Sequence, residues 1–358
     1  MFAENKKLLM IIAVAGVLLV FSVVAMLMLA INPRNTDYEI VPLGAFDHIE
    51  YVGGRRFLVQ QGEERTVRDE LGNIVIANFG QFVEHFDEYI LTLSGETFTV
   101  FNPRGREIAV FDGYDSVRFA APDRFIVGAS GEYAVVSRRG REIISPGEFS
   151  NIIPTEDDLF VVQYGRNFGI ANRRGRVIVP LEHDLIVPAG NNRFIMTQGP
   201  DKWVMSSGGS DIIPPGRFDR IYNAGHGYFE VWTMYETDIR TGIADRHGVE
   251  VVPVGRYDFV AVAGNDRFIV RSGEVWDLHL AVLDSSGNEI ISGNHFDEIG
   301  PLGEGVFVRT DDREGFLSLD GNVIIPIGRY DQIHTTVDNF AIVTNRGQLG
   351  VVNINRIP

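Results

Sequence analysis

One motif recurs nine times between Asp37 and Pro358, and this periodicity limits what the chain can fold into more than any other feature. Its signpost is a glycine, two variable or polar residues and a short apolar strand. It reads Gly105-Arg-Glu-Ile-Ala-Val110, Gly140-Arg-Glu-Ile-Ile-Ser145, Gly175-Arg-Val-Ile-Val-Pro180 and Gly209-Ser-Asp-Ile-Ile-Pro214. Gly72, Gly248, Gly287 and Gly321 open further copies, and Asp37 takes the glycine position of the first. Successive signposts lie 35, 33, 35, 35, 34, 39, 39 and 34 residues apart. A fixed period of this size means stacked supersecondary units, none of which buries its apolar face alone.

Within a unit the residues predict four short strands. The first is the segment after the glycine, as in Glu250-Val-Val-Pro253. The second opens with an aromatic-acid pair: Phe46-Asp47, Tyr114-Asp115, Phe218-Asp219, Tyr257-Asp258, Phe296-Asp297 and Tyr330-Asp331, with His183-Asp184 and Phe149-Ser150 as variants. The third reads Arg56-Phe-Leu-Val59, Arg124-Phe-Ile-Val127, Arg193-Phe-Ile-Met196 or Arg267-Phe-Ile-Val270, and the fourth Tyr133-Ala-Val-Val136 or Leu349-Gly-Val-Val352. Runs of β-branched and aromatic residues bounded by glycine, proline and polar clusters are strand signals. The expected fold is all-β: tandem antiparallel meanders of about 35 residues, propeller-like, with an open β-solenoid as the alternative. Ile354-Asn-Arg-Ile-Pro358 resembles a truncated first strand of a tenth unit, which would either close a ring on the first unit or trail off.

Phe168-Gly-Ile-Ala-Asn-Arg-Arg-Gly-Arg-Val-Ile-Val-Pro180, followed by His183-Asp184, resembles the WG repeat of bacterial proteins. Thr241-Gly-Ile-Ala-Asp-Arg-His-Gly-Val-Glu-Val-Val-Pro253 with Tyr257-Asp258 matches the same pattern. The resemblance covers all nine units. The naming tryptophan is absent: Phe168, Thr241, Leu349 and Glu314 stand in its place, and Trp203 is followed by Val204. The resemblance implies an all-β repeat domain, often on cell-envelope proteins, with no shared catalytic residues, cofactor or ligand.

Lys6 and Lys7 precede an uncharged, almost wholly apolar run of 24 residues from Leu8 to Ile31. A bilayer core needs about 20 helical residues, so this run is long enough to span it with some tilt. The apolar region of a cleaved signal peptide is normally about 7–15 residues, well short of this one. The basic residues before the span favour a cytoplasmic N-terminus. The expected layout is a cytoplasmic segment 1–7, a transmembrane signal-anchor helix 8–31, a linker 32–36 and a nine-unit repeat domain 37–358, on the cell membrane with the repeats extracytoplasmic. Pro33 stops a helix from running through the linker, since it lacks the amide and clashes with the preceding turn.

Past residue 36 the chain carries 29 basic and 47 acidic residues, a net of −18. A surface of that net charge repels phosphate backbones and anionic headgroups, which argues against nucleic acid as a partner. There is no cysteine, so neither disulfides nor thiolate metal sites exist.

The repeated aspartate would form a ring of carboxylates around the domain. It reads either as a cation or sugar site or, more simply, as an Asx-type turn whose carboxylate takes local amides. The eight histidines share no zinc-like spacing, and no calcium-loop pattern occurs, so no metal is expected. No serine sits in a nucleophile elbow, and no catalytic residue stands out. Repeats six and seven are four or five residues longer than the others. Both extensions, Val231–Asp238 and Arg271–His279, fall between the third and fourth strands of their units, and adjacent units would project the two longer hairpins side by side from one face. They hold Trp232, Tyr235, Glu274, Trp276 and Asp277, a candidate ligand-binding set for a protein or carbohydrate. Alternatively, they only add strand length. The functional expectation is a membrane-anchored scaffold binding protein or envelope polymer without catalysis or cofactor; an exported carbohydrate-active enzyme using loop carboxylates is the alternative.

Overall fold

The computed structural model describes residues 39–77, 79–155, 157–236, 238–273, 278–293 and 295–357. Among these residues, nine four-stranded antiparallel sheets form the nine blades of a β-propeller. Blade 1 spans 48–77, blade 2 81–112, blade 3 116–144, blade 4 151–183 and blade 5 185–213. Blade 6 spans 220–252, blade 7 259–292 and blade 8 298–325; blade 9 takes 332–353 together with Glu39–Val41. We call the four strands of each blade a to d in pairing order. The a strands of neighbouring blades approach one another around the ring, so strand a is innermost and strand d forms the rim.

The blades are offset from the sequence repeats by one strand. The segment after each signpost glycine pairs with the strand before it and becomes strand d of the preceding blade. The reason is local. The glycine closes a tight hairpin: Gly248 N donates to Asp245 O, with φ +79°. The proline-rich segment after strand d makes an open turn instead, Arg256 N to Pro253 O, which swings the chain onto the next blade. Only glycine suits position 248, because a Cβ would lie 2.3 Å from the carbonyl oxygen of Ile212 on the neighbouring rim and L-residues avoid that φ.

The same offset explains the closure. Glu39–Val41 pairs with Gln348–Asn353 as the rim strand of blade 9, so first and last segments share one sheet. The ring is therefore closed, not an open solenoid. The C-terminal segment does not start a tenth unit: Ile354–Arg356 is a 3₁₀ turn that follows the already completed blade. No helix among the described residues is long and apolar enough to cross a membrane, and the apolar run 8–31 lies outside them.

The core is divided in the same way. Each of the nine interfaces between blades holds one apolar layer, from Leu91, Val100 and Phe125 between blades 2 and 3 to Phe57, Ile342 and Val351 between blades 9 and 1. The phenylalanine of the Arg-Phe-Ile-Val strand is fully buried in blade after blade, as Phe57, Phe125, Phe194 and Phe268. Burying each contributes about 1.5–3 kcal/mol. The arginine beside it bridges blades: Arg124 Nη1 lies 2.9 Å from Asp158 and Arg267 Nη2 2.7 Å from Asp320. Sequence spacing gave no sign of that role.

The repeated aspartate is structural, in a form that the Asx reading did not foresee. Its carboxylate reaches across its own blade to an amide in the b–c hairpin, 14 or 15 residues on. Asp47 accepts from Gly62 N, Asp115 from Ser130 N and Asp184 from Gly199 N, each at 2.7 Å. Asp219, Asp258, Asp297 and Asp331 repeat the bond. The Asx turns lie elsewhere, in the c–d turn, where Asp245 Oδ1 takes the amides of His247 and Val249.

Candidate functional site

Strand a is innermost, and its side chains alternate between the apolar layer shared with the preceding blade and the side turned toward the following blade, where they are more exposed at the inner edge. The buried member is apolar in every case cited: Ile186 in blade 5, Ile221 in blade 6, Val260 in blade 7 and Ile333 in blade 9. Its neighbours take the other side, and there the blades differ. In blades 5 to 7 that side carries Leu185, Val187, Tyr222 and Phe259, which are 40, 38, 41 and 44% exposed. In blades 8, 9, 1 and 2 the corresponding strands present Glu298, Gln332, His334, His48, Glu50 and Gln81. The outward positions of blades 5 to 7 are richer in large apolar and aromatic groups, with Arg220 among them, and those of blades 8, 9 and 1 are mostly polar.

A groove of about 420 Å³ opens on this side, between blades 5 and 6. Leu185, Val187 and Ile195 form its apolar side, Tyr222 and Asn223 the facing edge, and Lys202 and Arg220 supply cationic groups. The register places them together: Leu185 opposes Thr197, Val187 opposes Ile195, and Thr197 opposes Lys202. Lys202 Nζ lies 3.2 Å from Thr197 Oγ1. Tyr222 also packs edge-on against Trp232, with ring centroids 5.3 Å apart, and Arg220 sits over the Trp232 ring at 5.8 Å. Trp232 Nε1 donates to Glu230 Oε1 at 2.8 Å. These contacts lie on the face of blade 6 turned toward blade 7, with Tyr222 and Arg220 at the edge of the groove. Groups of this kind suit an apolar ligand carrying a negative charge.

The extension in repeat six is extra strand length, and Trp232 does not project from it. Strands b and c of blade 6 run over Tyr228–Tyr235 and Asp238–Ala244, with Tyr235 opposite Asp238 at the end. Trp232 lies between Arg220 and Thr241, half-buried in the sheet. The exposed end of the hairpin holds Met234, Tyr235 and Ile239. Arg240 stacks 4.8 Å from the Tyr235 ring and pairs with Asp238 at 2.8 Å. Glu274, Trp276 and Asp277 lie outside the described residues. Of the predicted set, then, Trp232 packs beside the groove-edge residues Tyr222 and Arg220, and Tyr235 lies at the hairpin end. Leu185, Val187 and Tyr222 were missed. Their signal was a shift in pattern: Leu185, Val187, Tyr222 and Phe259 bring large apolar groups to outward positions of strand a where blades 1 and 9 have His48, Glu50, Gln332 and His334.

The groups with shifted acidity are spread around the ring. Burial raises Glu84 in blade 2, against the opposing effect of the Phe119 amide that it accepts. Asp284 in blade 7 is lowered by bonds from the Asn288 side chain and amide. Burial, with a bond to Asp266 of the next blade, raises the Tyr228 hydroxyl. Among the described residues no three histidines or carboxylates are grouped to hold a metal ion.

Residues 315–348 match the family model described as "WG containing repeat". That unit is similar to the WG repeat. The glycine of the motif has a visible reason here: a Cβ on Gly315 would lie 2.7 Å from the Ile327 side chain, where the rim strand crosses it. No curated protein matches the sequence. Among solved structures, the crystal structure of the eukaryotic initiation factor is similar over 79% of this chain and 87% of its own, at 12% identity and a TM-score of 0.51. Kluyveromyces lactis Hsv2 gives 10% identity and a TM-score of 0.38, over 68% of this chain and 90% of its own. Apo AztD from Citrobacter koseri gives 12% and 0.37, over 70% and 85%. At these identities the likeness concerns the fold alone.

Proposed function

We propose that this chain is a membrane-anchored, extracytoplasmic interaction module, held by residues 8–31, that binds a protein or cell-envelope polymer without catalysing a reaction. The observation that carries this reading is the apolar outward side of strand a in blades 5 to 7. Four large apolar side chains are exposed on adjacent strands, beside a groove flanked by Lys202 and Arg220, in a chain of net charge −16. Contiguous exposed apolar surface bordered by polar groups marks an interaction site. A closed ring of blades supplies the rigid frame that such a surface needs. The competing reading, an exported carbohydrate-active enzyme, requires two carboxylates converging on one pocket. The carboxylates of shifted acidity, Asp69, Glu84 and Asp284, lie in blades 1, 2 and 7 and each accepts a backbone amide, which favours binding over hydrolysis.

The test is capture from detergent-solubilised envelope by the full chain and by a Tyr222→Ala/Trp232→Ala variant. Loss of a specific partner by at least about tenfold, with an unchanged circular-dichroism melt, is the expected result for two aromatic contacts. Equal capture by both chains would remove the apolar groups of blades 5 to 7 as the binding face.

A further inference from the structure

The c–d turns of blades 2, 3 and 4 read Arg104-Gly-Arg106, Arg138-Arg-Gly-Arg141 and Arg173-Arg-Gly-Arg176. These eight arginines are all exposed, and none takes part in an ion pair among the described residues. The antiparallel order places every c–d turn on the outer rim of one end of the propeller, so the eight form a single arc over three consecutive blades. A cleft of about 420 Å³ lies within it, lined by Arg124, Arg141, Arg173 and Arg174 together with Asp123 and Glu142. Several carboxylates at the same end of these blades are already engaged. Glu88 pairs with Arg56, Asp158 with Arg124, and Asp157 accepts the Asn192 amide. No other c–d turn has this character: the matching turn of blade 1 carries Asp69 and Glu70, and that of blade 5 is Ser206-Ser-Gly-Gly-Ser210.

The second observation concerns where the chain enters the ring. Glu39 pairs with Val352 near the end of strand c of blade 9, so the rim strand Glu39–Val41 starts at the same end of the propeller as the arginine turns. Seven residues, 32–38, separate it from the apolar run ending at Ile31. Fully extended they reach about 25 Å. If the run is the anchor proposed above, on which this inference rests, the tether keeps the arginine end within reach of the bilayer.

We infer that the arginine arc of blades 2–4 docks on anionic phospholipid headgroups and fixes the orientation of the anchored propeller, with the b–c hairpins turned away from the membrane. Arginine matches phosphate geometry through paired N–H donors. Near an anionic surface each such residue is worth about 1 kcal/mol, roughly fivefold in a docking equilibrium. The net negative charge of the domain, taken whole, repels anionic headgroups, but that repulsion is screened beyond about 10 Å at 0.1 M salt, so close contact is decided by the arginine arc itself.

The experiment uses full-length chain in vesicles, with single-cysteine fluorescent probes, since the native chain has no cysteine. Glu107→Cys marks the arginine end and Glu63→Cys the opposite end. Energy transfer to a headgroup acceptor is read in vesicles with and without phosphatidylglycerol. The expected result is strong transfer from the Glu107→Cys probe only when phosphatidylglycerol is present. An Arg138→Gln/Arg139→Gln/Arg173→Gln/Arg174→Gln background should reduce the docked-to-undocked ratio by well over tenfold. Equal transfer from both probes, whatever the lipid and background, in chain that resists alkaline carbonate would overturn the docking while leaving the anchor. Release by carbonate would overturn the anchor and, with it, the geometry argued here. Binding of soluble polyphosphate that the four substitutions abolish, with the probes indifferent to lipid, would assign the arc to a soluble polyanion instead.

Discussion

The groove between blades 5 and 6 and the groove between blades 9 and 1 occupy equivalent places in the repeat, yet they differ at the outward positions of strand a. Both have apolar residues in their walls, Leu185, Val187 and Ile195 in one and Ile49, Tyr51, Ile342 and Leu349 in the other. At the first outward position of strand a, blade 5 has Leu185 where blade 9 has Gln332; at the third, Val187 stands against His334. The groove between blades 9 and 1 is larger, about 650 Å³, and is bordered by His48, Glu50 and His334. There His48 Nε2 lies 3.7 Å from Glu50, and His334 Nε2 is 2.6 Å from Thr344 Oγ1. The surroundings are nevertheless the same. Asp184 and Asp331 each cap their own b–c hairpin, and Ile186 and Ile333 fill the interface core. Positions that hold the blade together repeat around the ring, while the outward positions of strand a differ from blade to blade, which is why the proposed binding face is placed there.

Three substitutions separate frame from wall. The largest effect is expected from the frame. Gly248→Ala forces a positive φ on a residue with a Cβ and drives it against Ile212 O; a loss of about 2–4 kcal/mol should appear as a lower urea midpoint. A loss below about 0.5 kcal/mol would mean that the blade contact yields easily. Asp219→Ala should cost less, about 1–2 kcal/mol, because it removes one charge-assisted bond to the Met234 amide at a partly solvated hairpin. Asp219→Asn keeps an acceptor and should recover most of that loss. Equal losses in the two Asp219 variants would show that the charge, not the hydrogen bond, matters. Neither frame position borders the apolar groove, so neither change should alter capture once the variants are folded.

This division also explains what was legible in the sequence. The frame was readable because each of its devices recurs: the turn glycines, the aspartates before strand a, and the buried phenylalanines of strand b. Their number gave nine units, and their order gave an antiparallel meander. The blade boundary was not readable, since a cyclic repeat has the same period wherever it is cut; only the pairing of Glu39–Val41 with Gln348–Asn353 sets it. Long-range partners were equally hidden. Nothing local in Arg124 or Arg267 announces Asp158 or Asp320 in another blade. The candidate site was read in part. Trp232 drew attention as a tryptophan in a longer repeat, but its place beside Tyr222 depends on the pairing of strands a and b. Leu185 and Val187 look like ordinary strand residues until the ring shows that blade 6 leaves their side of strand a only partly covered.

The most direct measurement exchanges the two walls. Leu185→Gln/Val187→His gives blade 5 the residues of blade 9, and Gln332→Leu/His334→Val does the reverse; envelope capture is then compared with the unaltered chain at matched thermal stability. The account predicts that the first exchange abolishes capture and the second leaves it intact, with both rings folded. Full capture after the first exchange would contradict it and place the binding face away from these positions of strand a.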